Sequence, residues 1–265
     1  MPTADAKFPI KGFVETSFSD WPGKVSAVLF FPLCNLRCVY CHNYDLVLRP
    51  DQFPDYPWEA IREALRARRG WIDGVCLTGG EPTLHSWLPE VMKMLKDPDL
   101  GSAGSGLAIK LDTTGTHPEL LQSWIDGGWV DYVAMDLKAP LNVERYSAVA
   151  GRRMDSRDLA RIEESLDILL SGKIPHEFRT TIAPAIISEE EILVLAHRIE
   201  GADRYTLQNL NPRQALDPAF RSAKPWDEKD LRRIQNEVNY IIKKGAREGR
   251  DRGLEGDGNK IVGAR

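Results

Sequence analysis

The chain has 265 residues, 42% hydrophobic and 28% charged, a balance that suits a soluble globular protein with a substantial core. Its net charge of -4 supplies no basic field for a phosphate backbone, which argues against nucleic acid as a partner. No run approaches the ~18 apolar residues of a membrane span, and the N-terminus lacks the basic-then-apolar pattern of a signal peptide; a cytoplasmic protein without membrane contact is expected.

Along the chain, apolar β-branched runs alternate with amphipathic segments, the pattern of parallel β/α units. Strands are expected at 25–31, 75–78, 108–112, 132–136, 177–182 and 205–208, with helices at 58–69, 87–96, 118–126, 157–170 and 189–199. Ser188 and Glu191 form a capping-box pattern, and Ser156 is the expected N-cap of its helix. A last amphipathic helix is expected at 227–244, with Leu231, Ile234, Val238 and Ile241 on its inner stripe. Six units are two short of a closed eight-fold barrel, so the fold class is α/β, a partial TIM barrel with an open (β/α)6 sheet and a C-terminal helix. The expected organisation is an N-terminal extension at 1–20, a core at 21–215, a helical segment at 216–244 and a disordered glycine-rich, charged tail at 245–265.

Right-handed crossovers place all strand C-termini on one rim, where such barrels carry their chemistry. Three of the four cysteines, Cys34, Cys38 and Cys41, follow the first of these strands in "CNLRCVYCHN". Thiolates this close repel one another unless a cation neutralises them, and metal is the economical answer. Iron–sulfur clusters are normally held by four cysteines. Structural zinc takes four Cys or His ligands, so His42 brings a Cys3His site into consideration, although adjacent residues seldom ligate one ion in a compact loop. Cys76, inside the apolar run "GVCLTGG", reads as a small buried hydrophobe rather than a fourth ligand. Three thiolates on a four-iron cluster leave one iron open to a substrate or cofactor.

The remaining strand ends carry "LTGGEP", "DTTG", "DLK" and "QNLNP". Glycines let backbone approach a ligand closely, and charged groups at successive strand ends favour a site over a solvated surface. Asn209 and Asn211 are lesser candidates, and the "FSDWPGK" turn with Trp21 reads as packing.

The spacing C-x3-C-x-aromatic-C, with Tyr40 as the aromatic, resembles the signature of the radical S-adenosylmethionine (SAM) superfamily. The resemblance covers about residues 10–215 and implies a radical SAM core with a [4Fe-4S] cluster on Cys34, Cys38 and Cys41. It implies SAM bound at the unique iron and cleaved to methionine and a 5'-deoxyadenosyl radical, which abstracts a hydrogen atom. Gly79, Gly80 and Glu81 match the family's GGE motif at the SAM amino group. Asp112, Thr113, Asp136 and Lys138 resemble the strand ends of glycyl-radical-enzyme activases, which implies a monovalent cation held beside SAM by Asp112, Thr113 and Asp136, with Lys138 at the site. An inward Arg179 would pair with the SAM carboxylate; an outward one would be an ordinary surface residue.

The stretch from Lys11 to Asn43 is close to the activating proteins of anaerobic ribonucleoside-triphosphate reductase and, more broadly, to pyruvate formate-lyase activases. The partner so implied is a glycyl radical enzyme, and with no cysteines for an auxiliary cluster the electrons come from an external donor such as flavodoxin or ferredoxin. Two alternatives stay open: the same chemistry on a small molecule or nucleobase, as in deazapurine synthesis, or a non-catalytic electron carrier or zinc module. The last has no need of a GGEP loop.

Overall fold

The computed structural model of the chain describes residues 8–255. Seven strands lie in one sheet in chain order: β1 (Gly12–Ser17), β2 (Ser26–Phe31), β3 (Gly74–Gly79), β4 (Ala108–Thr113), β5 (Tyr132–Asp136), β6 (His176–Ile182) and β7 (Tyr205–Asn209). From β2 to β7 every pairing is parallel, and β1 runs antiparallel to β2. The sheet ends at β1 and β7, so it is open, as the six-unit reading expects. The helices are α1 (Tyr44–Leu48), α2 (Trp58–Ala67), α3 (Leu88–Leu95), α4 (Pro118–Asp126), α5 (Val143–Ala150), α6 (Ser156–Leu170), α7 (Glu189–Arg198) and α8 (Glu228–Glu255).

Alternation along the strands sorts the side chains. Val75, Leu77, Ile109, Leu111, Val133, Met135 and Phe178 are fully buried in the hydrophobic core, together with the inner stripes of the helices, such as Ile61 and Leu65 of α2 and Ile162, Leu166 and Leu169 of α6. Each such side chain contributes about 2 kcal/mol by leaving water. The other strand face is polar. Cys76 and Thr78, Lys110 and Asp112, Asp136, Glu177 and Arg179, Thr181 and Gln208 occupy alternate positions, and the register sets Cys76 beside Lys110, Asp136 beside Arg179 and Thr181 beside Gln208. A barrel interior is ordinarily filled by branched apolar residues. Here that space holds ionised groups.

Trp21, 2% exposed, packs 5.9 Å from the Tyr132 ring at the N-terminal end of the sheet, so Trp21 itself is a packing residue, as expected. The outer edge of β7 is covered by α8. Gln235 accepts the Leu207 amide at 2.9 Å and donates to the Tyr205 carbonyl at 2.8 Å, occupying groups that would otherwise invite another strand.

Several expectations are corrected. Gly12–Ser17 was to lie in an N-terminal extension but is hydrogen-bonded into the sheet as β1; an edge strand with three exposed residues in a row carries little alternation to read. The cap of α6 is Asp155 rather than Ser156: its carboxylate accepts from the Arg157 and Asp158 amides, and Asp158 reciprocates. The Ser188–Glu191 capping box on α7 is formed as expected. α8 continues past Lys244 to Glu255 where a disordered tail was expected, and residues 1–7 and 256–265 lie outside the described residues.

Candidate active site

The segment after β2 enters the C-terminal rim through Leu33, whose φ of 60° is left-handed for a non-glycine residue and costs about 1–2 kcal/mol. Its surroundings enforce that turn. The Leu33 carbonyl accepts the Glu81 amide at 2.9 Å, and a Cβ on Gly80 would stand 1.6 Å from the same oxygen, so no other residue fits opposite it. Beyond the turn, Arg37 and Val39 donate their amides to Ala150 and Val149 at the end of α5, at 2.8 and 3.1 Å. The Asn43 side chain donates to the Gly79 carbonyl at 2.8 Å, and Asp217 donates its amide to Val39 at 2.9 Å. The cysteine loop is thereby fixed to β3, to α5 and to the segment following β7.

Cys34, Cys38 and Cys41 all line one cavity of about 340 Å³, within the range of small-molecule sites. Burial pushes the Cys34 thiol up to about 12 and the Cys41 thiol up to about 11, and raises Cys38 as well. A metal ion bound to the sulfurs would offset that penalty. Among the described residues no three His, Cys, Asp or Glu side chains are grouped to hold a single ion. Three thiols lining one cavity fit three of the irons of a four-iron cluster and leave the fourth uncommitted. Cys76 is fully buried, 3.6 Å from Asp112 Oδ1 and away from the cavity lining.

Gly79, Gly80, Asp112, Thr113, Asp136, Lys138, Arg179 and Tyr40 line the same cavity, which brings together residues distant in sequence. Among the described residues the buried Tyr40 hydroxyl has no hydrogen-bond partner, and the Lys138 ammonium lies 5.8 Å from its ring centroid. Arg179 points inward. Its Nε donates to Asp136 Oδ1 at 2.8 Å and its Nη1 to Asp112 Oδ2 at 3.1 Å, while Lys138 donates to Asp136 Oδ2 at 3.0 Å. Burial by itself would raise both carboxyls, but Arg179 outweighs it, with Lys110 beside Asp112 and Lys138 beside Asp136, and both are held below the usual carboxylate range. Burial likewise opposes the charge on Lys138 and Arg179, and the aspartates more than restore it.

Glu81 stands apart from that set. Its carboxylate is fully buried behind the cavity wall, with Oε1 accepting from the Thr83 hydroxyl at 2.6 Å, the Thr113 hydroxyl at 2.9 Å and the Thr83 amide at 3.2 Å. Oε2 accepts the Thr114 amide at 2.6 Å. In this arrangement Glu81 braces the loops after β3 and β4. Asn209 is also structural, clasping the Trp226 backbone at 2.7 and 3.0 Å, and Asn211 caps the short turn at 212–214. The lining further includes Thr181, and Asp20, Asn43, Thr78 and Gln208 from within the quoted stretches, none of them singled out by sequence. Their signal was parity: Thr78, Thr181 and Gln208 share a strand face with residues already singled out.

The sequence profile of the radical SAM superfamily matches residues 28–199. A Methanocaldococcus jannaschii protein provisionally described as a glycyl-radical enzyme activating enzyme is 31% identical over 237 residues, covering 89% of this chain and 92% of that one. The pyruvate formate-lyase-activating enzyme of Streptococcus mutans is 27% identical over 180 residues, 66% of this chain and 65% of its own. Among solved structures, coproporphyrinogen III oxidase from Escherichia coli, a radical SAM enzyme, aligns with a TM-score of 0.52 at 14% identity over 91% of this chain. This chain spans 55% of that one, and the likeness is one of fold.

Proposed function

The chain belongs to the radical SAM superfamily, and within it to the glycyl-radical-enzyme activating type; from that premise we propose that it installs the glycyl radical of an anaerobic ribonucleoside-triphosphate reductase. The observation that carries the reading is the convergence of three thiols and the charged side chains of Asp112, Asp136, Lys138 and Arg179 on one cavity. The partner is argued from the stretch Lys11 to Asn43, which resembles the activating proteins of that reductase.

Cys34, Cys38 and Cys41 are assigned to the cluster, and Gly79, Gly80, Tyr40, Lys138 and Arg179 to the walls around SAM. When bound and reduced, the cluster would supply the electron for reductive SAM cleavage and so the radical chemistry that removes a hydrogen atom from the partner's glycine. The protein's own part is positional. The braced loops after β2, β3 and β4 hold the walls in place. Electrons come from an external cytoplasmic donor such as flavodoxin or ferredoxin.

The test is anaerobic reconstitution with iron and sulfide, reduction, and addition of SAM with the purified reductase. Formation of 5'-deoxyadenosine and a glycyl radical seen by electron paramagnetic resonance is the expected result. Cleavage of SAM without that radical would reject this partner, and no cleavage by a loaded cluster would reject the chemistry.

A further inference from the structure

The resemblance to activases implies a monovalent metal ion among Asp112, Thr113 and Asp136, and the residues present do not fit one. The space between the two carboxylates is occupied by the Arg179 guanidinium, 2.8 Å from Asp136 and 3.1 Å from Asp112. The remaining carboxylate oxygens are also committed. Asp112 Oδ1 pairs with Lys110, Asp112 Oδ2 additionally accepts from Thr78 at 2.9 Å, and Asp136 Oδ2 takes Lys138 at 3.0 Å. Thr113 is engaged elsewhere, donating to Glu81 at 2.9 Å and accepting the Gly115 amide at 3.1 Å.

Charge argues the same way. Lys110, Arg179 and Lys138 face Asp112, Asp136 and Glu177, so the aspartates that would hold a metal ion are already matched by fixed cations. A guanidinium is also suited to bridging: it is planar, permanently charged and less strongly hydrated than an ammonium. Among the described residues Nη2 of Arg179 makes no hydrogen bond, while Arg179 itself lines the cavity. That donor is therefore left for a ligand's carboxylate.

We propose that Arg179 is the resident cation of this cavity, taking the place of the monovalent metal between Asp112 and Asp136, so that SAM binding requires neither sodium nor potassium. This rests on reading the cavity as the SAM site. A metal ion is exchangeable and sets a salt requirement, whereas an arginine fixed on β6 is always present.

The test measures SAM affinity of the anaerobically reconstituted full chain by equilibrium dialysis in choline, sodium and potassium chloride at one ionic strength, about 0.1 M. The expected dissociation constants agree within about twofold across the three salts. Arg179→Ala, checked for iron content, should bind SAM about tenfold or more weakly in choline, the loss of a charge-assisted bond, and sodium or potassium should restore part of that loss. Wild-type binding that tightens about tenfold with sodium or potassium would overturn the inference alone, and this comparison needs no variant to fold. An Arg179→Ala protein that binds as tightly as wild type in choline would overturn it too. Failure of the loaded wild type to bind SAM in every salt would overturn both the inference and the assignment of the cavity.

Discussion

Glu81 Oε1 accepts the Thr113 hydroxyl at 2.9 Å, which ties the loop after β3 to the end of β4 directly behind the cavity wall. Replacing Glu81 with Ala strands the Thr113 and Thr83 hydroxyls and the Thr114 amide without their buried acceptor. The expected cost is about 2–4 kcal/mol of folding stability, alongside weaker SAM binding. Urea unfolding of the cluster-free protein reads this directly. A carboxylate that served only to touch SAM would leave the unfolding midpoint where it was.

The cysteine assignment separates four thiols and a histidine. Cys34→Ala, Cys38→Ala and Cys41→Ala should each lose the iron–sulfur absorbance after reconstitution, since each sulfur lines the cavity and two thiolates do not secure a cluster. Cys76→Ala should keep a full complement of iron and lose about 1 kcal/mol of stability, because it is a buried packing group. His42→Ala should keep the cluster as well. Iron analysis that groups His42 or Cys76 with the other three would refute this division.

The six parallel strands were legible because β-branched apolar runs alternate with amphipathic helices, and the cavity residues because they follow those strands. β1 was not, since "GFVETS" at an edge exposes residues in succession instead of alternating. Lys110 was hidden for a different reason: it interrupts the apolar run "AIKLD", and a lone lysine in a strand reads as a surface position. Only parity across neighbouring strands, Lys110 with Asp112 and Glu177 with Arg179, points to a polar interior. Arg179 could be placed inward or outward from sequence, but its two aspartate partners depend on a register that only pairing of β4, β5 and β6 provides.

Lys110 is fully buried, ion-paired to Asp112 and 3.8 Å from Glu177. Lys110→Met should destabilise the protein by about 3–5 kcal/mol by leaving two buried carboxylates short of a counter-charge. Adding Asp112→Asn should recover part of that loss, because the orphaned charge is then gone. A double-mutant cycle in urea measures the coupling, and additive costs would show that Lys110 does not act through Asp112.

Acid should find the same network. Asp112 is held below the usual carboxylate range although burial opposes it, because Arg179 and Lys110 favour its ionised form. A carboxyl whose folded pKa is depressed takes up its proton first in the unfolded chain. Its contribution is therefore complete above about pH 4, the unfolded value, and fades as pH falls below that toward the folded value. Asp136, depressed by Arg179 and Lys138, acts in the same direction. Wild-type stability should thus show little dependence on these groups between about pH 5 and 7 and drop steeply below about pH 4. Asp112→Asn should be less stable at neutral pH and show a shallower acid slope, since one of the protons taken up on unfolding is removed. Urea midpoints collected against pH for both proteins decide it, and parallel curves would mean that Asp112 is not ionised through its partners in the folded chain.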